Sequence, residues 1–177
     1  MRHSLFLALA LFALHAMPFA QAQDAASAKT FLTGLFHTYE NKGKGPGSGP
    51  KVLHSSLIAL MNKEEKLANK AGDIPTFGDG DFVCDCAEWQ GFWVINMDVQ
   101  LKSPQLAEAT VEFSVYPPKT RNSHDIKKVV YTLAPENGGW RIYDMLDLPE
   151  PGSKNNYPSA RHELEENIKL YTNPPKK

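Results

Sequence analysis

Apolar residues at Ala28, Phe31, Leu32, Leu35, Phe36 and Tyr39 recur at the i, i+3, i+4, i+7 spacing of a helix with one buried stripe. Gly43 follows the last of them and fits a helix stop. A second helix is expected from about Ser55 to Lys70, with Leu57, Leu60, Met61 and Leu67 on its apolar side and Lys63, Glu64, Glu65 and Lys66 as its solvated face. Beyond Ala71 the chain turns rich in Gly, Asp and Pro, and then the period changes to two. In GFWVINMDVQL, alternation puts Trp93, Ile95, Met97, Val99 and Leu101 on one face and Asn96, Asp98 and Gln100 on the other. Val111, Phe113 and Val115 make a second run, Val129, Tyr131 and Leu133 a third, and the turn PENGG leads into Trp140 to Asp144 as a fourth. The connections are too short for parallel crossovers, so the strands form an antiparallel meander. A polar helix from about Ser159 to Leu170 closes the pattern. The layout is α+β, with N-terminal helices packed on a four-stranded antiparallel sheet and a C-terminal helix.

The first 22 residues stand apart from that pattern. A short basic start, an unbroken apolar run from Leu5 to Leu14 and the small-x-small site Ala20-Gln21-Ala22 read as a secretory signal peptide cleaved near Ala22. The expected product is a periplasmic protein of about 155 residues, residues 23–177, forming one domain. Within it, Gly43 to Pro50, with its glycines and prolines, reads as a flexible loop, and residues 172–177 as a frayed tail. No later stretch is apolar enough to span a membrane. A formal charge of −1 gives none of the concentrated basic excess of a nucleic-acid binder.

Candidate chemistry is sparse. There is no G-x-S-x-G, and the Ser residues after His54 sit where a helix cap belongs. RHELEE has a His and carboxylates but no second His at zinc-binding spacing. The only two cysteines, Cys84 and Cys86, lie in DGDFVCDCAEWQ. An extended strand sets residues i and i+2 about 6.6 Å apart, near the upper limit for a disulfide, so a bond between them needs a bend at Asp85. A local disulfide leads four readings, ahead of structural thiols, a redox pair and a metal site. Two cysteines fall short of a metal ligand set, and neither a metal nor a cofactor is expected. Lys119, Arg121, His124, Lys127 and Lys128 form a basic connection between the second and third strands, suited to docking an acidic protein surface.

The helix FLTGLFHTYE, the run VCDCAEWQ, the strand ATVEFSV and the hairpin VVYTLAPENGGWRIYDM together resemble a family of small exported bacterial proteins of unassigned function with the nuclear-transport-factor-2-like fold. That resemblance implies a curved sheet wrapped into a cone. Some members of such families look like immunity proteins against secreted cell-wall-degrading toxins, which implies a non-catalytic protein whose partner is a toxin or another cell-envelope protein. The cone fold also hosts small-ligand binders and some enzymes, for which Asp98, Glu112 and Tyr116 are the candidate polar lining.

Overall fold

The computed structural model describes residues 23–40, 45–78, 80–149, 153 and 157–174. The signal-peptide reading, the first part of the Gly-rich loop and the end of the tail fall outside them. Among the described residues, three α-helices accompany one antiparallel sheet of four strands in the order β1-β2-β3-β4, the α+β meander expected from the alternation.

Helix α1 (Ala25–His37) opens on a capping box in which Asp24 accepts from the Ser27 N–H and Ser27 accepts from the Asp24 N–H. Its stripe of Ala28, Leu32, Leu35 and Phe36 is buried on the sheet, as its period requires. Helix α2 (Ser55–Ala71) is capped by the ring of His54, whose Nδ1 accepts from the Ser56 N–H, rather than by a serine. It ends on Gly72, whose φ of 80° is a left-handed conformation that glycine adopts without penalty. Helix α3 (Ala160–Thr172) starts from Ser159 and packs against α2 through Ala160, Leu164 and Ile168.

Strands β1 (Trp93–Ser103), β2 (Leu106–Ser114), β3 (Ile126–Glu136) and β4 (Gly139–Asp147) follow one another as neighbours. Between β3 and β4, Asn137 and Gly138 both have positive φ, the geometry of a two-residue hairpin turn that matches strand twist. The core side of β2 and β3 carries Ala107, Ala109, Val111, Phe113, Val129, Tyr131 and Leu133, all buried. The ring of Phe92 stacks between those of Phe36 and Phe113, with centroids 4.3 Å and 4.2 Å apart.

Two expectations fail here for definite reasons. The pairing of β1 with β2 shifts between Val94 and Asn96, so a bulge at Ile95 flips the parity of the strand. Val94, Met97, Val99 and Leu101 oppose Phe113, Val111, Ala109 and Ala107 on the core side, while Trp93 opposes Ser114 on the other. Glu64 is not on a solvated face: it is 2% exposed, and its carboxylate accepts from the Thr76 N–H and hydroxyl, with Asn167 donating to that hydroxyl in turn. A loop residue distant in sequence satisfies the acid, which helical periodicity has no means to register.

Candidate functional sites: the cysteine loop, the open sheet edge and the basic connection

Cys84 and Cys86 are joined by a disulfide across Asp85, with their Cα atoms 5.1 Å apart. The bend sits at Asp85, whose φ of 43° is left-handed. Around that ring the loop is held by bonds that involve no sulfur. Asp81 and Cys86 pair through their backbones. The Asp81 Oδ1 accepts from the Val83 N–H at 2.9 Å, the Cys84 N–H at 3.3 Å and the Tyr39 hydroxyl. Tyr131, from β3, donates its hydroxyl to the Val83 carbonyl at 2.5 Å. Gly45 lies so close that a Cβ there would meet Asp81 Oδ2 and the Tyr39 ring.

Lys127 reaches the same loop, donating to the carbonyls of Cys84 and Asp85 and to the Asp85 carboxylate at 3.2 Å. Electrostatics agree with a latch. Burial, and then the neighbouring Asp81, raise the Tyr39 hydroxyl; burial, and then Asp147, Asp81 and Asp85, raise that of Tyr131, so both stay protonated donors. The Asp147 carboxyl at the end of β4 has one oxygen buried without a hydrogen-bond partner. Burial first, and the Asp85 carboxylate second, push it up to about 6. Burial opposes charge on Asp85 too, yet its bond with Asp147 and the Lys127 ammonium hold it below its ordinary range. Below about pH 6 the proton of this pair therefore sits on Asp147, with Lys127 favouring charge on Asp85. Among the described residues the polar groups of this loop are largely bonded to one another, so the arrangement ties helix α1, the loop and the sheet together.

The basic connection does not form one patch. Lys119, Arg121 and His124 lie on the segment between β2 and β3, where the N–H groups of Thr120 and Arg121 bond to the Pro117 carbonyl. Lys127 and Lys128 sit on β3 itself, on opposite faces: Lys127 opposes Phe113 and serves the cysteine loop, whereas Lys128 opposes Glu112. Nor do the three polar candidates line a cone interior. Asp98 and Glu112 share the outer face, opposing Thr110 and Asn96, and Tyr116 packs against the core. The cause is the packing itself, since large side chains fill the space between α1 and the sheet. The open space lies elsewhere, in a hollow of about 510 Å³ lined by Met61, Phe77, Phe82, Trp89, Asp81 and glycines of the neighbouring loops.

The sheet's two edges differ in a way that alternation did not reveal. Segment Val52 to His54 runs beside β4: the Ile142 N–H donates to the Val52 carbonyl and the His54 N–H to the Ile142 carbonyl, both at 2.9 Å. Arg161 then covers Tyr143, its guanidinium 3.9 Å from the ring centroid and bonded to the Tyr143 carbonyl and the Ser56 hydroxyl. At the other edge, no described segment pairs with the outer side of β1. There Val94 and Leu101 are 41% and 43% exposed, with Met97 and Val99 half-buried between them. They form an apolar strip along a strand whose outer edge pairs with no described segment.

No family model matches the chain, and no curated protein matches it. Among solved structures it is similar to a chain of the crystal structure of the type VI native effector-immunity complex Tae3-Tai3 from Ralstonia pickettii. The identity is 21% over 73% of this chain and 98% of that one, with a TM-score of 0.44.

Proposed function

We propose that this protein is an exported, non-catalytic binding protein that holds another protein, and that it acts as an immunity-type inhibitor of a secreted, cell-wall-directed toxin in the periplasm. The observation that carries the binding reading is the apolar strip of Val94, Met97, Val99 and Leu101 beside an unpaired strand edge. Isolated exposed apolar residues are ordinary, but a row of them on an open edge leaves both side chains and backbone groups to be covered. The signal-peptide pattern of residues 1–22 supports export, and the family resemblance supplies the inhibitor role. Lys119, Arg121 and His124 belong at the rim of such a contact, where charge chiefly raises association rate. Affinity purification of the tagged chain from periplasm tests the reading: a stoichiometric protein whose toxicity the chain suppresses is expected. Recovery of a small molecule and no protein sinks it.

The hollow of about 510 Å³ favours a second reading, a small-ligand binder. Under it, Phe77, Phe82 and Trp89 would be the stacking surface, and Trp89→Ala would abolish the binding of any co-purified molecule.

A further inference from the structure

The open edge prescribes the form of what docks on it. A strand edge offers its outward N–H and C=O groups at the spacing of another extended chain, so its natural occupant is a strand. The side chains of that strand would alternate between the two faces of the sheet. On the helix side they would meet Val94, Met97, Val99 and Leu101, whose half-exposed surfaces accept apolar groups. On the outer face they would meet Asn96, Asp98 and Gln100. Lys102 is already bound to Glu108, at 2.8 Å. Asp98, at the middle of β1, takes the Gln100 amide at 2.8 Å and has no cation within ion-pair distance among the described residues. Glu112 lies one strand further in, on the same face.

We infer that β1 is completed by an extended segment of the partner protein, alternating apolar and basic residues, with a Lys or Arg set against Asp98. This rests on the protein-binding reading above and adds the place and manner of contact. Glu108 and Glu112 already face Lys102 and Lys128, so Asp98 is the acid a basic strand would neutralise, whereas a second copy paired at Asp98 would set two carboxylates against each other. Lysine and arginine also suit the position because their stems cover the strand while the charge reaches the acid.

Hydrogen-deuterium exchange on the mature chain tests the inference, using a short peptide that alternates Lys and Val and a control that alternates Glu and Val. The Lys-Val peptide should slow exchange of the β1 amides by about tenfold or more at saturation. The Glu-Val peptide should leave them unchanged. Asp98→Lys, at an exposed position and checked for an unchanged melting temperature, should weaken the Lys-Val peptide by roughly tenfold and favour the Glu-Val one. Indifference of β1 to both peptides overturns the inference, as does protection confined to the hollow. Protection of β1 that grows with protein concentration, alongside a dimer mass and no peptide, names a second copy as occupant and overturns it too. Should a toxin co-purify while β1 stays unprotected in the complex, the binding function stands and this docking mode falls. Should the Lys-Val peptide protect β1 while no protein is ever recovered, the docking mode stands and the function falls.

Discussion

The two outer strands of the sheet have similar needs and opposite solutions. Strand β4 is shut by backbone bonds to Val52 and His54, by Leu53 packed without exposure beside Ile142, and by Arg161 lying over Tyr143. Strand β1 has no such cover among the described residues, although its core side is as apolar. Had the open edge only to be kept soluble, charges facing the core side, a proline or a short strand would serve. Instead it runs 11 residues with valine, methionine and leucine toward the helix side. The contrast teaches that the sheet is sealed at its β4 edge and left open at its β1 edge, where the proposed partner would bind.

The largest expected effect is at the closed edge. Leu53 is fully buried and joins the added segment to the core, so Leu53→Ala should cost about 2–4 kcal/mol of unfolding free energy, measured by urea denaturation. A loss under about 1 kcal/mol would show that the edge is held by backbone bonds alone and would weaken the contrast.

Arg161 comes next. Its removal takes away the contact with the Tyr143 ring and leaves the Tyr143 carbonyl without that donor, so Arg161→Ala should destabilise by about 2 kcal/mol. Arg161→Lys should recover only part of this, because an ammonium lacks the planar fork that bonds carbonyl and hydroxyl together.

A smaller effect depends on pH at the end of β4. The Asp147 carboxyl is raised to about 6 in the folded chain, above its value of about 3.9 in an unfolded one, so the native state holds a proton that the unfolded state releases. That contribution is fully present below about pH 3.9 and is lost as pH rises through about 6. Asp147→Asn keeps the uncharged form at every pH. Its melting temperature should therefore gain on the wild type between pH 4.5 and 7.5, by the equivalent of about 1 kcal/mol once solvent screening is allowed for. A constant difference across that range would show that the Asp147 carboxyl is not raised in the folded chain.

These edges also mark how far the sequence is legible. The α1 stripe and the four-strand meander follow from periods of 3.6 and 2, because burial of one face is what those periods record. The bulge at Ile95 escapes such a reading, since one extra residue reverses every inference about facing and leaves composition unchanged. Closure of β4 escapes it as well: Val52 to His54 is too short to alternate, and its partner lies almost 90 residues away. The bend at Asp85 was legible because geometry required it of any Cys-x-Cys disulfide. The raised Asp147 carboxyl was not, because only the fold brings the loop acid Asp85 to the end of β4.

The smallest expected change in stability carries the most weight for function. Leu101 has the same side chain as Leu53 but is 43% exposed, so Leu101→Ala removes little buried surface and should leave unfolding free energy within about 0.5 kcal/mol of wild type. The same substitution should weaken capture of the partner, because the docked strand would bury what water now covers. Leu53→Ala should do the reverse, lowering stability while leaving affinity per folded molecule intact. If Leu101→Ala unfolds the protein as readily as Leu53→Ala, then β1 belongs to the core and the two edges are alike. If it is neutral in both assays, the apolar strip is surface without a task, and the partner must be sought at the basic connection of Lys119, Arg121 and His124.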